Sequence, residues 1–162
     1  MSREDAPSDF RQTLERYLDV AATHLDAHDA EVDRYVIAPS PVTWDGGCDG
    51  QLWTRLASFA PMPGDGASQL CGVNYWIVTV GVGIIRRISV VGPQGAPPYP
   101  EEVTADALQQ AEDARILKDA ILDVEFTRSF VSWNPLAPQG GFAGGEWLIN
   151  VRVPNIFRPS DA

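Results

Sequence analysis

The chain has 162 residues, a length typical of one domain, and its 44% apolar and 21% charged residues are those of a globular rather than a disordered protein. Its formal net charge of −10 opposes binding to nucleic acid, because affinity for phosphates depends on clustered Lys and Arg. An acidic surface equally suits a channel that DNA passes without sticking, although ordinary solubility is the simpler use of this charge.

The first predicted element is an amphipathic helix from about Asp9 to Ala27, with Ser8 as its N-cap. His24 and His28 are spaced i, i+4 on this helix, and that spacing can bind a metal ion. No HExxH motif accompanies them, so surface histidines are the preferred interpretation. Spacings of three and four define the apolar face of the helix, which is formed by Phe10, Leu14, Tyr17, Leu18, Ala21, Ala22 and Leu25.

Two strands are predicted next. Val32–Ala38 is a short strand that stops at a proline, and Gln51–Ala60 is a second strand that is partly apolar on both faces. The loop between them contains Asp45 and Asp49, which could suggest a cation site. The regular DxDxDG spacing of a calcium loop is absent, so metal binding is not favoured.

The longest apolar run, Cys71–Val91, predicts the central strand of a sheet, because it is rich in β-branched residues. Gly81 and Gly83 argue against a helix and suggest a bulge or bend within the strand. Two arginines, Arg86 and Arg87, interrupt the run, so it is not a membrane span. We expect this strand to form a hairpin with the strand before it.

A proline-rich linker, residues 92–100, precedes a second predicted helix from about Glu101 to Leu122. Its small alanines suggest close approach to the sheet, though they could equally mark a subunit interface. The stripe expected to pack consists of Val103, Ala107, Leu108, Ala111, Ala114, Leu117 and Ile121.

Residues 126–145 are predicted to be a long irregular segment, and Glu146–Val153 alternates as the last strand. Exposed aromatic residues on the irregular segment would mark an interaction surface. The alternative is that these aromatics fold back over the edge of the sheet. The predicted interface to neighbouring subunits or partner proteins consists of Phe126, Phe130, Trp133 and Phe142, together with Pro98 and Tyr99 of the linker.

These elements predict an α+β fold, with a mainly antiparallel sheet of about four strands and two helices packed on one face, in the order α-β-β-β-α-β. We expect a single domain over residues 1–162, with flexible tails at 1–7 and 155–162.

The motifs of common enzymes are absent from the sequence, which has no GxSxG, no GxxxxGK[ST] and no GxGxxG after a strand. Cys48 or Cys71 could act as a nucleophile with a histidine base, but no spacing supports that pairing. We expect a protein that is not an enzyme and has no cofactor or metal. The polar start of the chain favours the cytoplasm over secretion, so both thiols should be free.

A resemblance to phage proteins is carried by three segments: CDGQLWTR over Cys48–Arg55, CGV leading into the strand that ends at Arg86, and PPYPEEVTADALQQAEDARILKDAI over Pro97–Ile121. Together they are similar to structural proteins of the head–tail junction in tailed phages of high-GC bacterial hosts. The element order resembles that of siphophage tail terminators, and the likeness spans roughly Val32–Val153. Residues 126–145 have no counterpart in the resemblance.

The resemblance implies a virion protein made in the host cytoplasm, without an active site and without a membrane contact. Its copies would form a ring, usually a hexamer, that caps the tail tube and joins it to the head connector. DNA would pass through the lumen without specific binding. A head-completion or stopper protein of the same neck is the alternative, and an acidic binding module or small enzyme of the host is the second alternative.

Overall fold

The computed structural model describes residues 5–7, 9–40, 49–62 and 75–154. They form an α+β fold, as expected, but the sheet in this part of the chain is mixed and has five strands rather than about four. The elements are α1 (Phe10–Ala27), β1 (Arg34–Ile37), β2 (Gly50–Pro61), β3 (Tyr75–Arg87), a short 3-10 turn (Pro93–Gly95), α2 (Pro100–Leu122), β4 (Thr127–Gln139) and β5 (Phe142–Pro154).

The strand order is β1-β2-β3-β5-β4, so β3 lies at the centre of the sheet, as its composition predicts. β1 runs parallel to β2, and every other neighbouring pair is antiparallel, including the expected β2–β3 hairpin. The bulge predicted at Gly81 and Gly83 is wrong, because β3 pairs with β5 in unbroken register through both glycines. A bulge occurs instead in β2, where the β2–β3 register shifts between Leu56 and Ser58.

Both helices pack on one face of the sheet, as predicted. Thr54, Val82 and Trp147 are direct cross-strand neighbours and therefore share that face. The Thr54 hydroxyl donates a hydrogen bond to the Leu14 carbonyl of α1 at 3.1 Å. The Trp147 indole N–H donates to the Ala114 carbonyl of α2 at 2.8 Å. The opposite face of the sheet carries neither helix, and we call it the open face.

Helix α1 begins one residue later than predicted, at Phe10, and its N-cap is Asp9 rather than Ser8. The Asp9 carboxylate accepts the Arg11 backbone N–H at 2.9 Å, which satisfies one of the free donors of the first turn. The predicted apolar face is confirmed at its centre, where the buried residues are Leu14, Tyr17, Ala21 and Leu25.

The prediction of an irregular segment over 126–145 is wrong, because these residues form most of a β4–β5 hairpin. Its turn is Gly140-Gly141, whose positive φ angles of 56° and 84° suit glycine. β4 pairs with β5 across three register shifts and contains Pro135 and Pro138. Prolines and shifts hide the alternation by which strands are identified, and they are tolerated because β4 is an edge strand.

Helix α2 is buried only in its second half, so the predicted stripe is half wrong. Its buried residues are Asp113, Ile116, Leu117, Ala120 and Ile121. In the first half, Val103 is 50% exposed and Leu108 is 66% exposed, and Ala107 and Ala111 are exposed as well. Only the second half of α2, from Asp113 onward, covers the core.

The amino-terminal residues 5–6 are held against β5 rather than lying in a free tail. Asp5 pairs with Arg128 at 2.8 Å and with Arg152 at 2.6 Å. The Ala6 N–H donates to the Arg152 carbonyl at 2.9 Å, and the Ala6 side chain is buried. Cys48, Cys71 and the predicted tail at 155–162 lie outside the described residues, so the thiol prediction stays a prediction.

Candidate functional site

A buried carboxylate lies on the open face of the sheet. Glu146 of β5 is 2% exposed. It accepts hydrogen bonds from Arg55 Nε at 2.8 Å, from the Arg55 terminal nitrogen at 2.7 Å and from the Trp53 indole N–H at 2.9 Å. Hydrogen bonding to Glu146 raises the pKa of the Arg55 guanidinium above its usual value. The bidentate ion pair therefore favours the charged form of the Arg55 guanidinium.

The glycines of β3 make room for this ion pair. A Cβ on Gly81 would lie 2.6 Å from a Glu146 carboxylate oxygen, and a Cβ on Gly83 would overlap the Trp53 indole. The pattern Gly81-Val82-Gly83 therefore lets a tryptophan and an ion pair lie flat on the sheet. Because the Glu146 carboxylate is buried and engaged by three donors from β2, it holds β2 to β5 across β3.

A second buried ion pair fixes α2. The Arg86 guanidinium of β3 donates to both carboxylate oxygens of Asp113, at 2.7 Å and 2.9 Å. The same guanidinium donates to the backbone carbonyls of Ala30 at 2.5 Å and Glu31 at 3.2 Å, just after α1. Arg86 thus ties the segment after α1, the central strand and α2 at one point. Asp113 marks where α2 becomes a core helix.

An open cleft of about 610 Å³ lies between the first half of α2 and β4. We call it the groove. Its helix wall includes Val103, Asp106 and Ala107, and Ser89 donates its backbone N–H to Asp106 at 2.8 Å. The remaining lining residues are mostly apolar and come from β4, β5 and the segment after β3: Pro135, Leu136, Ala137, Pro138, Ala143 and Ile88.

A second open cleft, of about 520 Å³, lies beside the groove and is formed by the proline-rich linker and the start of α2. Tyr99 lies at its rim and is 73% exposed, and Val90 and Val91 are 56% and 61% exposed. Val103 and Leu108, in the first half of α2, are further exposed apolar side chains. Such surface is typical of interaction sites.

Two of the four aromatics predicted to be exposed on residues 126–145 are buried, so that expectation is wrong. Phe126 is 3% exposed and packs edge-to-face on Tyr17 at 5.5 Å, and Phe142 is 5% exposed beneath the Arg87 guanidinium. The other two, Phe130 and Trp133, are half-buried and pack on Trp147 at 5.1 Å and 5.5 Å. All four lie within or against the sheet. Of the linker residues predicted with them, Pro98 is half-buried and Tyr99 is exposed. An interface role for these residues stays a prediction.

Sequence reasoning missed the residues that define the two ion pairs and the groove. Arg55 and Glu146 are 91 positions apart, so no local pattern links them. The only available signal was the glycine pair of β3, since glycines inside a strand indicate a close approach. The β4 wall of the groove gave no strand signal because of its prolines.

Metal-binding clusters of three or more His, Cys, Asp or Glu side chains do not occur among the described residues. His24 instead contacts Asp123 at 2.8 Å, which joins α1 to the end of α2. Within the described ranges, neither helix is long and apolar enough to cross a membrane. No protein-family model matches the chain, and no curated protein matches it.

Proposed function

We propose that this chain is a structural protein of a phage neck. It would be a tail terminator whose copies, six by the resemblance, form a ring that caps the tail tube and joins it to the head connector. The observation that carries the proposal is the exposure of large apolar side chains on the linker and the first half of α2, where Tyr99, Val103 and Leu108 are each at least half exposed. A ring subunit needs such surface for its neighbours.

The element order supports this assignment. A helix, a sheet, a packed helix and a closing strand resemble the order of siphophage terminators, and the chain adds β4 to that plan. Among the described residues, the most deeply buried carboxylates, Asp113 and Glu146, are both paired with arginines. They serve structure, which suits a protein without an active site.

The acidic charge has a use in such a ring. With a net charge of −10 per chain, a ring of copies would repel the phosphates of DNA moving through its lumen. The protein would then act in the virion, at the head–tail junction, after synthesis in the host cytoplasm. Its partners would be its own copies, the tail-tube protein and the head-completion protein.

The test is a phage in which the gene for this chain carries an early stop codon. Particles from that phage are imaged by electron microscopy, and tail length and head attachment are measured. We expect overlong tubes without heads, and restoration of uniform joined tails when the intact gene is supplied in trans. Uniform tails that merely fail to join heads would point to a stopper, and normal joined tails would contradict a neck role altogether.

A further inference from the structure

The linker before α2 ends in a short segment of polyproline II (PPII) helix, residues 96–100. Its two non-proline residues have backbone angles close to PPII values: Ala96 has φ −66° and ψ 123°, and Tyr99 has φ −65° and ψ 146°. The ring of a proline fixes φ, and the residue before a proline is held in the extended region. Three prolines therefore restrict the segment to a PPII path: Pro97, Pro98 and Pro100.

Hydrogen bonds hold both ends of this PPII segment. The Ala96 carbonyl accepts the Gly92 backbone N–H at 2.8 Å. The Tyr99 backbone N–H donates to a Glu102 carboxylate oxygen at 2.9 Å, and the Tyr99 carbonyl accepts the Glu102 N–H at 3.0 Å. Because the segment is ordered before any partner arrives, binding it would lose little conformational entropy.

The threefold turn of PPII decides which side chains of the segment face outward. Because PPII has three residues per turn, Pro97 and Pro100 share one edge and Pro98 lies on another. Ala96 and Tyr99 share the remaining edge. The exposures follow this period, since Pro98 is half-buried, the other four residues are exposed, and Tyr99 is 73% exposed. Two residue–proline pairs therefore face solvent one PPII turn apart, a distance of about 9 Å.

This pattern fits one kind of binding partner, a protein groove lined with aromatic side chains. Such grooves bind PxxP segments, which Pro97 and Pro100 supply. An added β-strand is a poor alternative, because three of the five residues lack the N–H that a strand ladder needs. Among the described residues, no hydrogen bond reaches the carbonyl of Pro97 or Pro98. These two carbonyls can accept the N–H of a groove tryptophan or the O–H of a groove tyrosine.

The charge beside the segment is negative. Glu101 directly follows Pro100 and is exposed, and it forms no ion pair within the described part of the chain. Residues 88–114 contain no Lys or Arg. A groove that carries a cation would therefore be complementary in charge, whereas a second copy of this chain, with a net charge of −10, is the less complementary partner.

We propose that residues 96–100 are a docking ligand for a different protein, whose groove has two aromatic slots and a Lys or Arg beside the second slot. Pro97 and Pro100 fill the two slots, which lie about 9 Å apart. The Tyr99 ring packs on the groove wall, and the cation meets Glu101. The inference depends on the linker alone and not on the neck assignment, so its test can fail while the proposed function stands.

The test uses three purified domains that bind PPII segments through aromatic grooves as probes: an SH3, a WW and an EVH1 domain. Each probe is isotope-labelled for NMR, and the full-length chain is added up to about 1 mM to detect weak binding. Amide chemical shifts of the probe report the contact surface and the Kd. The test variant is Pro97→Ala with Pro100→Ala. Pro93→Ala is the matched control, because Pro93 is an exposed proline outside the segment.

We expect at least one probe to bind with a Kd below about 1 mM, with shifts confined to its aromatic groove. The double variant should bind at least about tenfold more weakly, whereas Pro93→Ala should bind as the wild type does. Tyr99→Ala keeps every proline, so it should weaken binding without altering the start of α2, which circular dichroism checks. Glu101→Gln should weaken binding by at least about threefold and reduce its dependence on salt.

Failure of all three probes to bind at about 1 mM would overturn the proposal. Binding that is unchanged in the double variant would do the same, as would shifts that lie outside the aromatic groove. An affinity unchanged by Glu101→Gln would contradict the cation in the groove. Dimers of the chain itself that the double variant dissociates would assign the segment to a second copy and overturn its role as a ligand for a different protein.

Discussion

Replacing Gly83 with alanine tests the structural claim about the open face most directly. Gly83 lies under the Trp53 indole, which is fully buried. The indole N–H donates a hydrogen bond to the Glu146 carboxylate at 2.9 Å. An added Cβ would approach the ring well inside 3.0 Å, a distance that real Cβ atoms essentially never show. The indole must therefore move, and its hydrogen bond to the carboxylate must lengthen or break.

The loss of stability expected for Gly83→Ala has two causes. Overpacking a well-packed site costs about 1–3 kcal/mol. Loss of a hydrogen bond to a charged group costs about 1.5–3 kcal/mol more. We expect the free energy of unfolding to fall by about 3–5 kcal/mol, and because about 1 kcal/mol corresponds to about 2–4 °C for a domain of this size, the Tm should fall by at least about 6 °C.

The assay is urea unfolding followed by far-UV circular dichroism, together with a thermal melt. Gly92→Ala is the matched control, because a Cβ at Gly92 would meet only the Ala96 carbonyl at an ordinary 3.7 Å. That variant should be neutral, or more stable by up to about 1 kcal/mol through the unfolded state. If Gly83→Ala melts within about 2 °C of the wild type, Trp53 does not lie on Gly83 and the account of the open face is wrong.

Two further predictions concern α2 and the amino terminus. Leu117→Ala should lower the free energy of unfolding in urea by about 2–5 kcal/mol, because Leu117 is fully buried. Leu108→Ala, at a position 66% exposed, should change the free energy of unfolding by less than about 0.5 kcal/mol. Equal losses in the two variants would contradict the division of α2 into an exposed and a buried half. Burial acts to raise the pKa of Asp5, but hydrogen bonds and charge from Arg152 and Arg128 outweigh it and hold the pKa below its ordinary value of 3.8. The stabilisation by Asp5 is therefore complete above pH 3.8 and is lost as the pH falls through the lowered pKa. The difference in Tm between the wild type and Asp5→Asn should be largest at pH 7 and should disappear below pH 3.8. A difference in Tm that does not change with pH would contradict the ion pairs of Asp5.

The sequence predicted the elements whose signal is local. α1 and the buried half of α2 show helical spacing, and β3 shows a long β-branched run. β4 was missed because Pro135, Pro138 and three register shifts erase its alternation. Which apolar residues are covered is a property of tertiary packing, so helical spacing could not show that Val103 and Leu108 remain exposed.

The candidate surfaces were less accessible to sequence reasoning than the fold. The aromatics of residues 126–145 were predicted to be exposed, but their burial depends on the β4–β5 pairing that the sequence hides. Tyr99 was predicted as an interface residue and is the most exposed large apolar side chain of the described residues. The groove is formed by segments of α2 and β4 that lie about 30 residues apart in the chain. Local sequence patterns cannot predict a contact between segments so far apart.

The division of α2 at Asp113 also predicts where the helix should open most readily. Backbone amides in a helix half with little tertiary cover open by local fraying, whereas amides over a packed core open only when much of the domain unfolds. Residues 100–111 should therefore sample open states far more often than residues 113–121, with the Arg86–Asp113 ion pair as the boundary between the two regimes. The first half of α2 can therefore change direction while its buried half stays packed on the core.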